Sequence, residues 1–273
     1  MTTTTTPSPA PTQATVTPVM GGVRSGLGYW WAGYRSMLGW HLSSLRLWLM
    51  LLAVVQVLSG VGFVLGFALF FDEIPMEAAL FVSTGVPVIN LVLVGLILGP
   101  QLVADQKISQ SYDFISSLPV PHTASALAWY TVCLIGGLPA VGVSLTVAVL
   151  RYDGLPLVIT PDVVPALLLT AFAGTMLGYA IAHAITSPMT TRLLTQLLVF
   201  ALFGFTPILF PVTQMPTWLA TVNAWLPFRH MADTIRASLT DLPYPDLATS
   251  YAVIVAWSVV CAVLAVRALG RRR

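Results

Sequence analysis

The chain has 273 residues, of which 57% are hydrophobic and only 8% charged, with a formal net charge of +2 and a mean hydropathy of +0.86. Soluble domains carry roughly a quarter charged residues, so a water-soluble globule of this composition would turn large apolar patches to solvent. Lipid is the expected solvent, and the small, scattered positive charge excludes a nucleic-acid-binding footprint.

Residues 1–22 are rich in Thr, Pro, Ser and Ala and carry no charge, which predicts a disordered tail. The tail lacks the basic start and apolar centre of a secretory signal, so the mature protein is expected to begin where the sequence does. One transmembrane domain is expected over 23–273. It opens on 28–44, where Trp30, Tyr34, Met37, Leu38 and His41 recur at helical spacing. The aromatics favour the headgroup layer, which predicts an interfacial elbow helix.

From Leu45 to Phe71 the sequence is almost wholly apolar with Arg46 at its head, and at about 1.5 Å per residue it exceeds a hydrocarbon core of roughly 30 Å. Further spans are expected at about 80–98, 126–150, 163–186, 193–210 and 247–267. The fold class is therefore all-α, a polytopic membrane protein with six transmembrane helices and both termini on one side.

The loop charges set the orientation. Arg24, Arg35, Arg46, Lys107, Arg192, Arg267 and Arg271 to Arg273 share the side of the termini, whereas Arg151, Arg229 and Arg236 lie opposite with most of the acids, including Asp72, Glu73 and Glu77. The basic side faces the cytoplasm, which predicts cytoplasmic termini in the cytoplasmic (inner) membrane. Gly62 with Gly66, and Gly174 with Gly178, form GxxxG pairs that permit close helix approach, within the chain or between copies.

The polar residues expected near the midplane are Gln56, Asn90, His183 and Gln196, with no acid, lysine or arginine beside them. Ion-coupled carriers use intramembrane ionisable groups, so that class is disfavoured. No GxSxG or HExxH pattern marks a hydrolase. A phosphate-cradling loop is excluded because the only lysine, Lys107, is followed by Ile108. No cofactor is therefore expected in this chain; an ATP-driven protein of this sequence would need another chain to hold ATP and Mg. Cys133 and Cys261 stand far apart in apolar runs and read as packing thiols, and no metal site is indicated.

Two long non-spanning segments remain. In 100–123, Asp105, Lys107, Gln110, Tyr112 and Asp113 belong to a polar, helix-like stretch that Pro119 and Pro121 stop before the next span. Such a projecting helix suits docking of a partner; an ordinary loop is the alternative. In 207–239, Pro207, Pro211, Pro216 and Pro227 break any continuous span into two short amphipathic pieces, about 216–225 and 227–239, able to dip into the outer leaflet and return. Trp218 and Trp225 would anchor them at the interface. Arg229, Asp233 and Arg236 share a helical face, so one carboxylate can pair with both guanidiniums in a partly dehydrated position.

The segment FPVTQMPTWLATVNAWLPFRHMADTIRASL resembles the signature near the last span of ABC-2 type transporter permeases, through Phe210, Pro211, Pro216, Trp218, Leu219, Asn223, Pro227 and Arg236. Segment 100–123 resembles the same family's coupling segment through Asp105, Asp113 and Pro119-Val120, with Gln110 where glycine is usual. The resemblance implies two permease copies and two ATP-binding cassette ATPase subunits in the bilayer, with ATP and Mg bound by the ATPases. It implies export of an amphipathic drug, antibiotic or lipid, or alternatively of a lipid-linked glycan. Gln101 to Ser117 would pass ATPase movement to spans two and three, while Phe210, Pro211, Pro216, Trp218, Asn223, Pro227, Arg229, Asp233 and Arg236 would form an outer gate. A membrane-embedded enzyme acting on lipid, centred on His183, is the rival from another class.

Overall fold

A computed structural model describes residues 26–70, 74–241, 244 and 246–270. The expected tail 1–22, together with Arg24, Asp72, Glu73 and Arg271 to Arg273, lies outside the described residues. Within them the elements are helical: α1 (Leu27–Ser44), α2 (Arg46–Phe70), α3 (Met76–Leu93), a π-turn (Val94–Leu98), α4 (Gly99–Ile108), α5 (Tyr112–Ser117), α6 (His122–Arg151), α7 (Val163–Ala184), α8 (Pro188–Phe205), a 3₁₀ turn (Val212–Gln214), α9 (Thr217–Asn223), α10 (Pro227–Leu239) and α11 (Leu247–Gly270). Six continuous helical stretches are long and apolar enough to cross a bilayer: Arg46–Gly66, Met76–Ile108, His122–Arg151, Val163–Ala184, Pro188–Phe205 and Leu247–Leu269.

The second stretch departs most from the expected boundaries. It runs as one helical rod from Met76 to Ile108, ten residues past the apolar run, through Gly99 and Pro100. Proline lacks an N–H and crowds the carbonyl one turn back; the wider π-turn immediately before it lets the rod continue without that clash. The rod stops where Gln110 takes a left-handed backbone, φ +58°, with Ser109 N–H donating to Asp105 O at 2.9 Å. A residue in this conformation just past the last turn is a common helix terminator and favours glycine. Segment 100–123 is thus two pieces, the end of a span and the short helix α5. The fifth span also shifts: Ser187 caps it by accepting from Thr190 N–H at 3.3 Å, Pro188 occupies its first position, and it ends at Phe205, before Pro207.

α7 is the hub, packed on α11, α3, the π-turn, α4, α6 and α10. The glycines decide how close it comes. A Cβ at Gly178 would run into the Gly95 carbonyl of the π-turn, and one at Gly174 would lie 3.1 Å from Val92 Cα. This GxxxG pair serves contact within the chain. Among the described residues nothing lies within 4 Å of such a Cβ at Gly62 or Gly66 on α2, so that pair faces away from the helices it packs with. The buried core includes Ile89, Leu91, Leu202, Met231, Ile235 and Ile254.

α1 does not extend α2; the helix breaks at Leu45. Instead α1 lies along the start of α6, where Trp30 Nε1 donates to Thr123 Oγ1 at 2.9 Å, Tyr34 Oη meets Thr131 Oγ1 at 3.0 Å, and the Tyr29 hydroxyl donates to Pro119 O. Large apolar side chains on α2 (Leu47, Met50, Val54, Leu58) and α8 (Leu193, Leu197, Phe200) point away from the core. Water would not tolerate such faces, and lipid does.

Candidate functional site

Two constellations sit at opposite ends of the helices. At the first, α4 and α5 are fastened to the end of α7 and the start of α8. The Lys107 ammonium donates to the Ala182 and Ile185 carbonyl oxygens at 2.6 and 2.5 Å, placing a positive charge on the partly negative C-terminal end of α7. The ammonium also stands 5.2 Å from the Tyr112 ring centre. The Tyr112 hydroxyl lies 2.8 Å from His183 Nδ1, and Arg192 of α8 pairs with Asp105 of α4.

These contacts redistribute the expected roles. Tyr112 is buried and acts as an anchor. Lys107 and Asp105 face α7 and α8, so both belong to the fastening. The outward surface of α5 is Asp113 and Phe114, the latter 70% exposed, with Gln110 and Pro119 exposed at its flanks. Phe114 was not among the candidates from sequence; an aromatic immediately after an acid in an otherwise polar turn was the available signal. His183 is corrected from a midplane position to the last turn of α7.

The other expected pathway residues separate. Gln56 and Asn90 meet in the core, Gln56 Nε2 donating to Asn90 O at 2.8 Å, while the buried Asn90 side-chain amide has no hydrogen-bond partner among the described residues. Gln196 is exposed on α8. The four therefore do not line a common path in one chain.

At the opposite end, the break after α8 folds inward. Gly85 of α3 admits it, since a Cβ there would collide with the Ile208 carbonyl. Arg236, only 1% exposed, reaches from α10 to the same place. Its Nη2 donates to Ile208 O at 2.7 Å, its Nε donates to Thr84 Oγ1 at 3.1 Å, and its guanidinium lies 4.1 Å from the Phe81 ring centre. Asp233 does sit between the two arginines, 3.5 Å from Arg229 and 3.6 Å from Arg236. Arg236 is wholly dehydrated, beyond the partial dehydration expected. Burial pushes the Asp233 carboxyl above its usual range, and the guanidiniums of Arg236 and Arg229 oppose that shift.

Asn223 Nδ2 donates to Phe205 O at 2.8 Å, tying α9 to the end of α8. Pro227 begins the largely buried α10, whereas Pro216 and Trp218 are exposed, Trp218 at 63%. Phe210 and Pro211 are half-buried. A chamber of about 500 Å³ opens here between Phe81, Pro211, Arg229, His230, Asp233 and Tyr244.

This is an all-helical, multi-pass membrane protein with one short helix tethered at one end and a proline-broken helical pair packed inward at the other. The family described as ABC-2 family transporter protein matches residues 78–267; the chain belongs to that family and is a membrane subunit of an ABC transporter. No curated protein matches the chain in sequence.

Proposed function

We propose that the chain is the permease subunit of an ATP-binding cassette exporter, moving an amphipathic drug, antibiotic or lipid out across the cytoplasmic membrane. Two copies pair in the bilayer and two separate ATPase subunits, holding ATP and Mg, dock on α5. The α5 end faces the cytoplasm with both termini, in keeping with Arg35, Arg46, Lys107, Arg192 and Arg267. The reading rests on one observation above all: α5 turns Phe114 and Asp113 outward while Tyr112, Lys107 and Asp105 fasten the same segment to α7 and α8.

A force applied to Phe114 then passes through Tyr112 and His183 into the end of α7, and through Asp105 and Arg192 into the start of α8. This route differs from one into spans two and three alone. At the outer end, Arg236 holds the Ile208 turn and α10 on α3, and outward opening requires that junction to loosen.

The test is reconstitution with the ATPase subunit in vesicles. ATP-dependent movement of a fluorescent amphiphile, lost when the phosphate-loop lysine of the ATPase is replaced, supports the proposal. Movement indifferent to that replacement, or lipid chemistry by the isolated chain, overturns it.

A further inference from the structure

Between α1 and the α4–α5 segment lies a cavity of about 590 Å³. Its mouth opens beside Trp40 and Ser44, both exposed on α1, and faces Phe114, Ile115 and Leu118. A smaller chamber of about 60 Å³ shares Met37, His41, Gln106 and Trp129 with it and reaches inward to Ser125, Tyr179 and His183. The two together are largely apolar, and His41 and Gln106 stand where they join. Their combined size is in the range of pockets that hold drug-sized molecules.

Their junction contains unused hydrogen-bonding capacity. His41 is only 8% exposed and lines both chambers, yet among the described residues its ring makes no hydrogen bond, only aromatic contacts with Trp40 at 5.2 Å and Trp129 at 4.9 Å between ring centres. The half-buried Gln106 side-chain amide likewise makes no hydrogen bond among the described residues. Buried polar groups are normally satisfied by protein, water or ligand. Among the described residues no acidic or basic side chain lines either chamber, apart from the two histidines. Burial lowers the His41 pKa to about 4, so the imidazole stands neutral, and a charged occupant would find no counter-ion there.

We propose that this cavity binds an uncharged amphiphile of small-drug size, its flat apolar body between Trp40, Met37 and Ile115 and its hydrogen-bonding head turned toward His41 and Gln106. The wall formed by α5 puts such a molecule in direct contact with the segment that carries Phe114. Binding itself depends on nothing in the export reading, so the two stand or fall separately.

The experiment uses the purified full chain in detergent with a photoreactive trifluoromethyl-diazirinyl benzyl alcohol, followed by peptide mapping. Labelling should concentrate on Met37 to Leu45 and Phe114 to Val120, saturate, and be displaced by unlabelled trifluoromethyl benzyl alcohol. The corresponding benzoate should label these peptides at least about ten-fold less, because its charge would be buried unpaired. Ser44→Trp and Ile115→Trp, which fill the cavity from α1 and from α5, should abolish the saturable component; if neither variant folds, displacement in the native chain decides. Labelling that is not displaced, that favours the benzoate, that is confined to the outward faces of α2, α8 and α11, or that is displaced only by added phospholipid overturns the proposal.

Discussion

Tyr112 and His183, 71 positions apart in sequence, meet at 2.8 Å and join the short helix α5 to the last turn of α7. Beside them Lys107 occupies the two carbonyl oxygens that end α7. A neutral hydrogen bond contributes about 1 kcal/mol net and a cation at a partly buried helix end up to about 2 kcal/mol. Tyr112→Phe and Lys107→Met should therefore destabilise the chain by roughly 1–3 kcal/mol each. Tyr112→Phe with His183→Ala should cost less than the sum of the two, as measured by a double-mutant cycle in detergent unfolding. In the assembled transporter, these changes should leave ATPase copurification intact while lowering transport per ATP hydrolysed.

Phe114 behaves differently because it is exposed. Phe114→Asp removes an apolar contact from the surface of α5 and adds a second negative charge next to Asp113, without disturbing Tyr112. Stability should change by no more than about 0.5 kcal/mol, as for surface sites generally. Recovery of the ATPase subunit by pull-down should fall by about ten-fold or more, the loss expected when an exposed aromatic is a binding hot spot. Full recovery would move the docking surface away from α5.

Arg236 supplies the third expectation. Replacing it with Met leaves the Ile208 carbonyl and Asp233 without their buried donor, and breaking a buried pair from one side costs about 3–5 kcal/mol. Arg236→Lys should not rescue this, since an ammonium cannot span Thr84 Oγ1 and Ile208 O while lying over Phe81 as a planar guanidinium does. Asp233→Asn should be milder: Asp233 is partly exposed and its ion-pair distances are long. Denaturant titration of the three variants orders them, and equal losses would show that the Asp233 pairs, not the Ile208 and Thr84 bonds, hold the junction.

The unequal visibility of these features in the sequence has a physical cause. Apolar runs declare spans because lipid imposes length and composition on contiguous residues, and prolines 211, 216 and 227 declare the broken segment because their effect is local. Arg236 shares a helical face with Asp233, which is legible; its partners Thr84 and Ile208 lie 152 and 28 residues away, and no periodicity announces them. The extension of the second span to Ile108 was hidden because the apolar run ends at Leu98 and Gln101, Asp105, Gln106 and Lys107 follow it, although the helix continues unbroken. Gln110 was visible as a departure from glycine, and its left-handed backbone gives the reason glycine is favoured there.

His41 gives a pH dependence whose sign follows from its surroundings. Unfolded, its imidazole titrates near 6.5, whereas burial lowers the folded value to about 4. The folded chain therefore binds fewer protons between those values, and the stability involved is full above 6.5 and lost as pH falls toward 4. The loss at its acid limit is on the order of 3 kcal/mol. Thermal unfolding at about pH 7.5 and about pH 5 should show a smaller difference for His41→Phe than for the native chain.

The two GxxxG pairs should respond oppositely to one methyl group. At Gly178 an alanine Cβ would meet the Gly95 carbonyl, backbone against backbone, and neither helix can retreat without separating α7 from the π-turn. Gly178→Ala should cost about 1–3 kcal/mol, the usual range for overpacking. At Gly62 the same Cβ enters open space, and the extra methyl should leave the unfolding of the isolated chain unchanged or slightly improved, because alanine is the better helix former by about 1 kcal/mol. Even Gly62→Leu should fold. Should Gly62→Leu nonetheless shift the purified protein from a larger to a smaller species in light scattering, the outward face of α2 must be where two copies meet, since among the described residues nothing lies within 4 Å of a Cβ at that position.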